Sequence, residues 1–257
     1  MPLALASGLW SERSEDKPYL NALSSNPKSK ILKKAIMNIA KFEFSLFGIN
    51  TYVVYDPKEK KAAIIDPGMI NREEEEALTR FLERNSLEVT QIINTHLHID
   101  HAIGAAFAKK RFNAPLFGHK EDAFLGERLQ QQAIAFGINT DVEGISIDTY
   151  LEPGDKIKVG SGELEVLHVP GHSPGSIALY DREGGFVITG DALFEGSVGR
   201  TDLPGGNGTQ LIQSIRENLL PLPDSTVVYP GHGPATTIGR ERAANPFLAP
   251  NPHFRLK

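Results

Sequence analysis

The chain has 257 residues, which suits one large α/β domain, and its 40% hydrophobic and 23% charged residues are ordinary for a globular protein with a sizeable core. A net charge of −5 argues against a protein that binds nucleic-acid phosphates. The absence of cysteine excludes disulfides, thiolate nucleophiles and Cys-ligated zinc, so any metal must be held by imidazole and carboxylate groups.

The first 36 residues differ from the rest of the chain. They are rich in Ser, Asn, Lys and Pro and show no clear period, which predicts a flexible N-terminal extension. A strand-like pattern begins at Met37 and suggests that this methionine is the natural first residue. No apolar run approaches the roughly 18–20 residues that span a bilayer, and the apolar start lacks a basic segment. We therefore expect a cytoplasmic protein with no membrane partner.

Residues 37–257 are predicted to form a single domain in which strands alternate with helices. In the first half we predict strands at Ile39–Phe44, Thr51–Tyr55, Ala62–Asp66 and Val89–Asn94, and helices at Asn71–Asn85, Ile103–Phe112 and Lys120–Phe136. In the second half we predict strands at Lys156–Val159, Glu163–Val169, Ser176–Tyr180, Phe186–Thr189 and Thr226–Tyr229, and helices at Gln210–Leu220 and Gly239–Ala244. Two runs of strands, each mixed with helices, indicate an α+β fold with two sheets packed face to face and helices outside.

One short segment concentrates the candidate metal ligands. Between Thr95 and the predicted helix that begins at Ile103, four such residues occur within six positions: His96, His98, Asp100 and His101. A loop between a strand and a helix can direct these side chains at one point without burying unpaired polar groups. A lone histidine is usually structural, but this density is hard to explain by core packing and indicates a metal site.

Three further candidate ligands occur in similar settings. His172, Asp191 and His232 each follow a predicted apolar strand, and each comes directly after a glycine. Glycine lets the backbone approach a metal closely. Each residue alone would more often be a turn residue, but with the central segment the three complete two coordination shells.

The pattern His-x-His-x-Asp-His, followed by a Gly-His, a Gly-Asp and a second Gly-His, resembles the metallo-β-lactamase superfamily over about residues 38–249. The resemblance implies an αββα sandwich with the metals at one edge between the sheets. It also implies that His96, His98 and His172 hold one metal, that Asp100, His101 and His232 hold the other, and that Asp191 bridges them.

The implied chemistry is hydrolysis. Two zinc ions about 3.5–4 Å apart can share a hydroxide and polarise a substrate carbonyl, and iron or manganese accepts the same ligands. The catalytic residues would be Asp191, as the shared ligand, and Asp100, which could be a ligand, a proton acceptor for the attacking water, or both. The sequence predicts no organic cofactor.

The segment from Gly190 to Asp202 resembles the glyoxalase II-like branch of the superfamily and its persulfide dioxygenase relatives. The C-terminal segment from Gly231 to Leu248 is most similar to the short, single-domain glyoxalase II-like branch. That branch implies a small-molecule thioester substrate of the S-lactoylglutathione type. Only 25 residues follow His232, so we expect the helical glutathione-binding domain of full-length glyoxalase II to be absent. The physiological thiol and the oligomeric state stay open.

Arg200 has two interpretations. Its planar fork could clamp a substrate carboxylate, or it could form a structural ion pair with Asp202 or another acid. Three other histidines, His119, His168 and His253, stand outside the motif, and we expect His168 to be packed or hydrogen-bonded within a strand.

Several other functions remain open. A mononuclear iron persulfide dioxygenase would use His96, His172 and Asp191 as a two-His, one-carboxylate set. The same centre could also hydrolyse another ester, a lactone or a phosphodiester. A purely structural metal site is disfavoured, because structural zinc normally takes four protein ligands and leaves no open position.

Overall fold

The computed structural model describes residues 36–249. The predicted N-terminal extension, apart from Ile36, lies outside the described residues. The strands are β1 (Asn38–Phe44), β2 (Ile49–Tyr55), β3 (Lys61–Ile65), β4 (Glu88–Ile93), β5 (Leu116–Gly118), β6 (Thr149–Tyr150), β7 (Lys156–Val159), β8 (Gly162–His168), β9 (Ile177–Asp181), β10 (Phe186–Gly190), β11 (Leu193–Phe194), β12 (Ser197–Val198), β13 (Val227–Pro230) and β14 (Thr236–Thr237). The α-helices are α1 (Arg72–Arg84), α2 (Ile99–Ala102), α3 (Ala105–Phe112), α4 (Ala123–Glu127), α5 (Leu129–Ala135), α6 (Gly208–Ser214) and α7 (Ile238–Ala244).

The strands of the described chain form two six-stranded mixed sheets and a small hairpin of β11 and β12. The first sheet has the order β1-β2-β3-β4-β5-β6 and changes from antiparallel to parallel at β3. The second has the order β14-β13-β10-β9-β8-β7, with β10 and β13 parallel.

The alternation of side chains along the strands divides the core into three apolar layers. On β2, Tyr52 and Val54 pack between the sheets, whereas Val53 belongs to the layer that contains Leu78 of α1. On the far side, Val187 of β10 belongs to a third layer that includes residues of α6 and α7. Helices therefore cover both outer faces, and the predicted αββα sandwich is confirmed.

The prediction of one continuous helix over Lys120–Phe136 is wrong. The segment consists of a 3₁₀ turn at Lys120–Asp122 and the two short helices α4 and α5, separated at Arg128. The carbonyl of Gly126 accepts the backbone N–H of Ile145 at 3.0 Å, which takes it out of the helical ladder. As a result α5 turns so that the Gln132 side chain bonds to Leu97 and Ile99.

Two other helices also differ from their predictions. The helix predicted at Ile103–Phe112 begins at Ala105, after the separate turn α2. The helix predicted at Gln210–Leu220 begins at Gly208 and ends in a π-helical turn, Ile215–Leu219. Within residues 36–249, no helix combines the length and the apolar character needed to cross a membrane.

The loops that carry the candidate ligands follow the ends of β4, β8, β10 and β13. The backbone N–H of Ile177 on β9 donates to the Thr95 carbonyl at 2.8 Å and so joins the β4 loop to the second sheet. The N–H of Asn50 on β2 donates to the Gly231 carbonyl at 2.7 Å, and the Asn50 side chain donates to the carbonyls of Pro230 and Gly233. These bonds hold loops from both sheets at one edge of the sandwich.

Candidate metal centre

The loop after β4 places four of the predicted ligands together. His98 is the N-cap residue of α2, with extended backbone at φ −68° and ψ 154°, so Asp100 and His101 lie in the first turn of that short helix. His96 and His98 are only 2% and 5% exposed. Buried imidazoles at a loop require defined partners, and the other ligand loops provide them.

The nitrogens of His96, His98 and His172 form the first cluster. His98 Nδ1 lies 2.8 Å from His172 Nε2, and His172 Nε2 lies 3.1 Å from His96 Nε2. All three side chains are buried. This cluster joins the β4 loop to the β8 loop.

The second cluster is formed by Asp100, His101 and His232. His232 Nε2 lies 3.1 Å from Asp100 Oδ2, and His101 Nε2 lies 3.8 Å from the same oxygen. The ligand atoms of this set all lie within 4.8 Å of one another, as they do in the first cluster.

Asp191 lies between the two clusters. Its Oδ2 is 3.6 Å from His172 Nε2 in one cluster and 3.6 Å from His232 Nε2 in the other, and its Oδ1 is 3.2 Å from His101 Nε2. Its Oδ2 therefore faces both sets of imidazoles, and its Oδ1 faces His101 of the second set. The structure thus brings all seven sequence-predicted ligands to one place.

Hydrogen bonds on the outer nitrogens fix which ring nitrogen faces the centre. His172 Nδ1 lies 2.8 Å from the Arg200 carbonyl, and His232 Nδ1 lies 3.2 Å from the Phe47 carbonyl. Because a carbonyl oxygen can only accept, each Nδ1 carries a proton, and Nε2 is the ring nitrogen that faces the centre. Histidine metal ligands are commonly oriented in this way.

The donor set therefore fits a divalent cation. His172 Nε2 lies about 3 Å from a nitrogen of His98 and from a nitrogen of His96, so three imidazoles converge in the first cluster. His101 Nε2 in the second cluster and Oδ1 of Asp191, which lies between the clusters, are buried and make no hydrogen bond. Imidazole and carboxylate groups in this arrangement are the ligands that zinc and similar metals take.

The electrostatics of the centre also favour a bound cation. Burial lowers the pKa of His98 to about 3 and lowers that of His96 well below its usual value. Burial opposes ionisation of Asp191, but His101, His172 and His232 hold its pKa well below the usual range. Burial also opposes a charge on His101, whose pKa is nevertheless raised by Asp191 and other carboxylates. A metal ion would supply the positive charge that a proton otherwise provides.

The role of Asp66 was not apparent from the sequence. This buried carboxylate accepts the N–H and the hydroxyl of Thr95 at 2.7 and 2.6 Å, and its Oδ2 lies 2.9 Å from His101 Nδ1. Its backbone has φ 51°, which non-glycine residues rarely adopt. An available signal was its position directly after an apolar strand, which it shares with the predicted ligands.

Asp122 was also missed, because it lies inside the predicted long helix. Its carboxylate accepts the Ser173 hydroxyl at 2.7 Å, the Gly175 N–H at 2.6 Å and the Leu97 N–H at 3.2 Å. It thus ties the loop that carries His96 and His98 to the loop that carries His172. We find no sequence signal that would have identified it.

An open cleft of about 390 Å³ lies above the centre and is lined in part by His98, Asp100, His172, Asp191 and His232. Arg200 also lines the cleft, and its guanidinium forms two 2.7 Å hydrogen bonds to the Asp202 carboxylate. Of the two interpretations of Arg200, the structure contains the ion pair.

Comparisons with known proteins agree with this architecture. The model of the metallo-β-lactamase superfamily matches residues 45–232. The chain is 40% identical over 214 residues to the hydroxyacylglutathione hydrolase GloC of Haemophilus influenzae, with 82% of this chain and 98% of the relative covered.

Solved structures show the same similarity. The BLEG-1 B3 metallo-β-lactamase superposes with a TM-score of 0.75 at 35% identity, with 82% of this chain and 99% of that chain covered. TTHA1623 in a di-iron-bound form superposes with a TM-score of 0.72 at 37% identity, with 81% and 100% covered. The family match covers well over half of the chain, and the fold implies a metal-binding hydrolase. The chain belongs to the metallo-β-lactamase superfamily, as its motifs predicted.

Proposed function

We propose that this protein is a binuclear metal hydrolase that cleaves thioesters of the S-lactoylglutathione type. The observation that carries the proposal is the position of Asp191 between two complete ligand clusters at the floor of an open cleft. The 40% identity to a protein named hydroxyacylglutathione hydrolase supports the choice of a thioester.

The two clusters would hold two zinc ions, one at His96, His98 and His172 and one at Asp100, His101 and His232, with Asp191 shared. A metal pair supplies a Lewis acid for the carbonyl oxygen and lowers the pKa of a bound water. Iron or manganese would suit the same ligands, and the similar TTHA1623 has been solved with two irons.

Asp100 is the side chain best placed to accept the proton of the attacking water. It lines the cleft, and its Oδ2 bonds to His232 Nε2 at 3.1 Å. Burial opposes its ionisation, but the neighbouring His101 and His232 lower its pKa, so it is a carboxylate at neutral pH. Asp66 keeps the His101 ring in its orientation, and Asp122 keeps the first cluster together.

The second cluster also bears on the mononuclear dioxygenase alternative. That activity needs only His96, His172 and Asp191. The chain also retains Asp100, His101 and His232, with His101 Nε2 buried and without a hydrogen bond. This set supports a binuclear centre.

The test is hydrolysis of S-lactoylglutathione by the full chain, followed through release of the free thiol, together with metal analysis. We expect two metals per chain, turnover that a chelator abolishes, and recovery when zinc is restored. One iron per chain, with consumption of oxygen and formation of sulfite when a thiol persulfide is supplied as the substrate, would instead establish the dioxygenase.

A pair of matched variants assigns the activity to this centre. Asp191→Asn removes the shared charge and should lower both metal content and turnover by at least tenfold. Asp141→Asn makes the same chemical change at an exposed position and should alter neither. Full metal content in Asp191→Asn would contradict the proposed bridging role.

A further inference from the structure

The mouth of the cleft is bordered by apolar side chains, which we call the aromatic rim: Phe47, Phe136, Phe194 and Leu203. Phe47 is at the tip of the β1–β2 hairpin, and Phe136 follows α5. Their rings meet edge to face at 5.7 Å and 63°. Two elements distant in sequence thus join directly above the candidate metal centre.

The two phenylalanines are unusually exposed. Phe47 is 54% and Phe136 39% exposed, and they are among five large hydrophobic residues exposed in residues 36–249. A pair of exposed aromatic rings at the mouth of a cleft is typical of a binding site. The solvent-exposed parts of the two phenyl rings are therefore available for contact with a ligand.

The backbone at Phe47 supports this interpretation. Its φ of 56° is rare for a bulky residue, and Gly48 follows with φ 68°. The Phe47 carbonyl faces His232 Nδ1, and Ile49 pairs with His232 in an isolated β-bridge. The hairpin is therefore fixed to the metal-binding loop while it presents the Phe47 ring at the cleft mouth.

The charges of the residues that line the cleft do not favour an anionic group at the aromatic rim. Arg200 is the sole Lys or Arg among the described residues that line the cleft, and its Nε and Nη2 form an ion pair with the Asp202 carboxylate. The carboxylates of Asp100 and Asp191 face the candidate metals. An anionic substituent held at the rim would thus meet rings and leucine rather than a free cation.

We propose that the aromatic rim binds an apolar group of the thioester substrate, so that the enzyme prefers thioesters with an aliphatic or aromatic substituent to S-lactoylglutathione. This inference rests on the proposed thioester hydrolysis and adds the chemical class of the substituent. Each methylene covered by the rim should raise kcat/KM by roughly threefold, until the rim is filled.

The experiment uses two series of thioesters with the metal-loaded full chain. One series varies the acyl group from acetyl to hexanoyl on uncharged N-acetylcysteamine, and the other varies the alkyl thiol of acetyl thioesters. We expect kcat/KM to rise with chain length in one series, which identifies the side of the substrate that occupies the rim. We also expect S-lactoylglutathione to be a poorer substrate than the longest member of that series.

Variants connect the length dependence to the rim. Phe47→Asn is suited to the left-handed backbone and removes the apolar ring, and Phe136→Ala removes the opposing ring. Both should flatten the dependence on chain length while two metals remain bound. Ile134→Ala, a similarly exposed apolar position on α5 outside the cleft lining, should preserve the dependence.

Different outcomes separate the two proposals. Absence of metal-dependent hydrolysis for every thioester would overturn the proposed function. Hydrolysis that is independent of chain length, or a length dependence that survives both rim variants, would overturn the rim alone. Calorimetric binding of S-hexyl and S-methyl thioethers of N-acetylcysteamine tests the rim without turnover, and equal affinities would also overturn it.

Discussion

Gly231 packs so closely against Asp191 and His101 that no side chain fits at this position. A β-carbon at this residue would overlap Asp191 Oδ1 and would lie 2.6 Å from His101 Cε1. Real β-carbons essentially never approach closer than 3.0 Å, so in Gly231→Ala the imidazole must move by at least 3.0 − 2.6 = 0.4 Å and the carboxylate by more. A catalytic site tolerates shifts of about 0.5 Å, and a shift of about 1 Å costs on the order of 100-fold in rate.

We therefore expect Gly231→Ala to fold, to lose at least one metal, and to lose about 10- to 100-fold in turnover. Metal content after desalting and thioester hydrolysis measure these effects. The control is Gly185→Ala in the β9–β10 turn, where nothing lies within 4 Å but φ is +68°. It should cost about 1 kcal/mol of stability and keep both metals. Full metal content and activity in Gly231→Ala would refute this account of the ligand geometry.

Three further variants test residues outside the candidate ligand set. Asp122→Asn should lower the free energy of unfolding by about 1–3 kcal/mol and weaken metal binding, because an amide leaves one of its buried donors unpaired, and unchanged urea denaturation would contradict this. His168→Ala removes a ring that stacks on His119 at 4.4 Å, so it should reduce the melting temperature while metal content stays the same. At Asp56, burial opposes ionisation but bonds from Ser161 and the turn backbone lower the pKa to about 2. The ionised Asp56 carboxylate therefore stabilises the folded state at pH values above its pKa in the unfolded chain, which is near 4. This stabilisation is lost as the pH falls towards 2. The difference in unfolding free energy between wild type and Asp56→Asn should therefore narrow between pH 5 and pH 3, and a constant difference would show that ionisation is not involved.

The seven candidate ligands could be picked out from the sequence because each lies in a short polar segment directly after an apolar strand. The parallel pair β10 and β13 brings Asp191 and His232 to the same sheet edge, as strand geometry requires. The αββα sandwich was predictable for a similar reason, since the long strands and α1 have clear periods.

The residues that support the ligands could not be predicted in this way. Asp122 bonds to backbone and hydroxyl groups 25–53 positions away, and such partners leave no local pattern. Very short strands such as β6 and β14, two residues each, show no measurable period. The break at Arg128 depends on a tertiary bond to Gly126, and the contact of Phe47 with Phe136 depends on the path of two loops.

We propose that two metal ions share Asp191, one held with His96, His98 and His172, and the other with Asp100, His101 and His232. The most direct test is anomalous diffraction from crystals of the zinc-loaded protein. We predict two peaks roughly 3.5–4 Å apart, each about 2.0–2.2 Å from the nitrogen and carboxylate atoms of its own cluster. A single peak at full occupancy, or a peak pair that Asp191 does not bridge, would contradict the account.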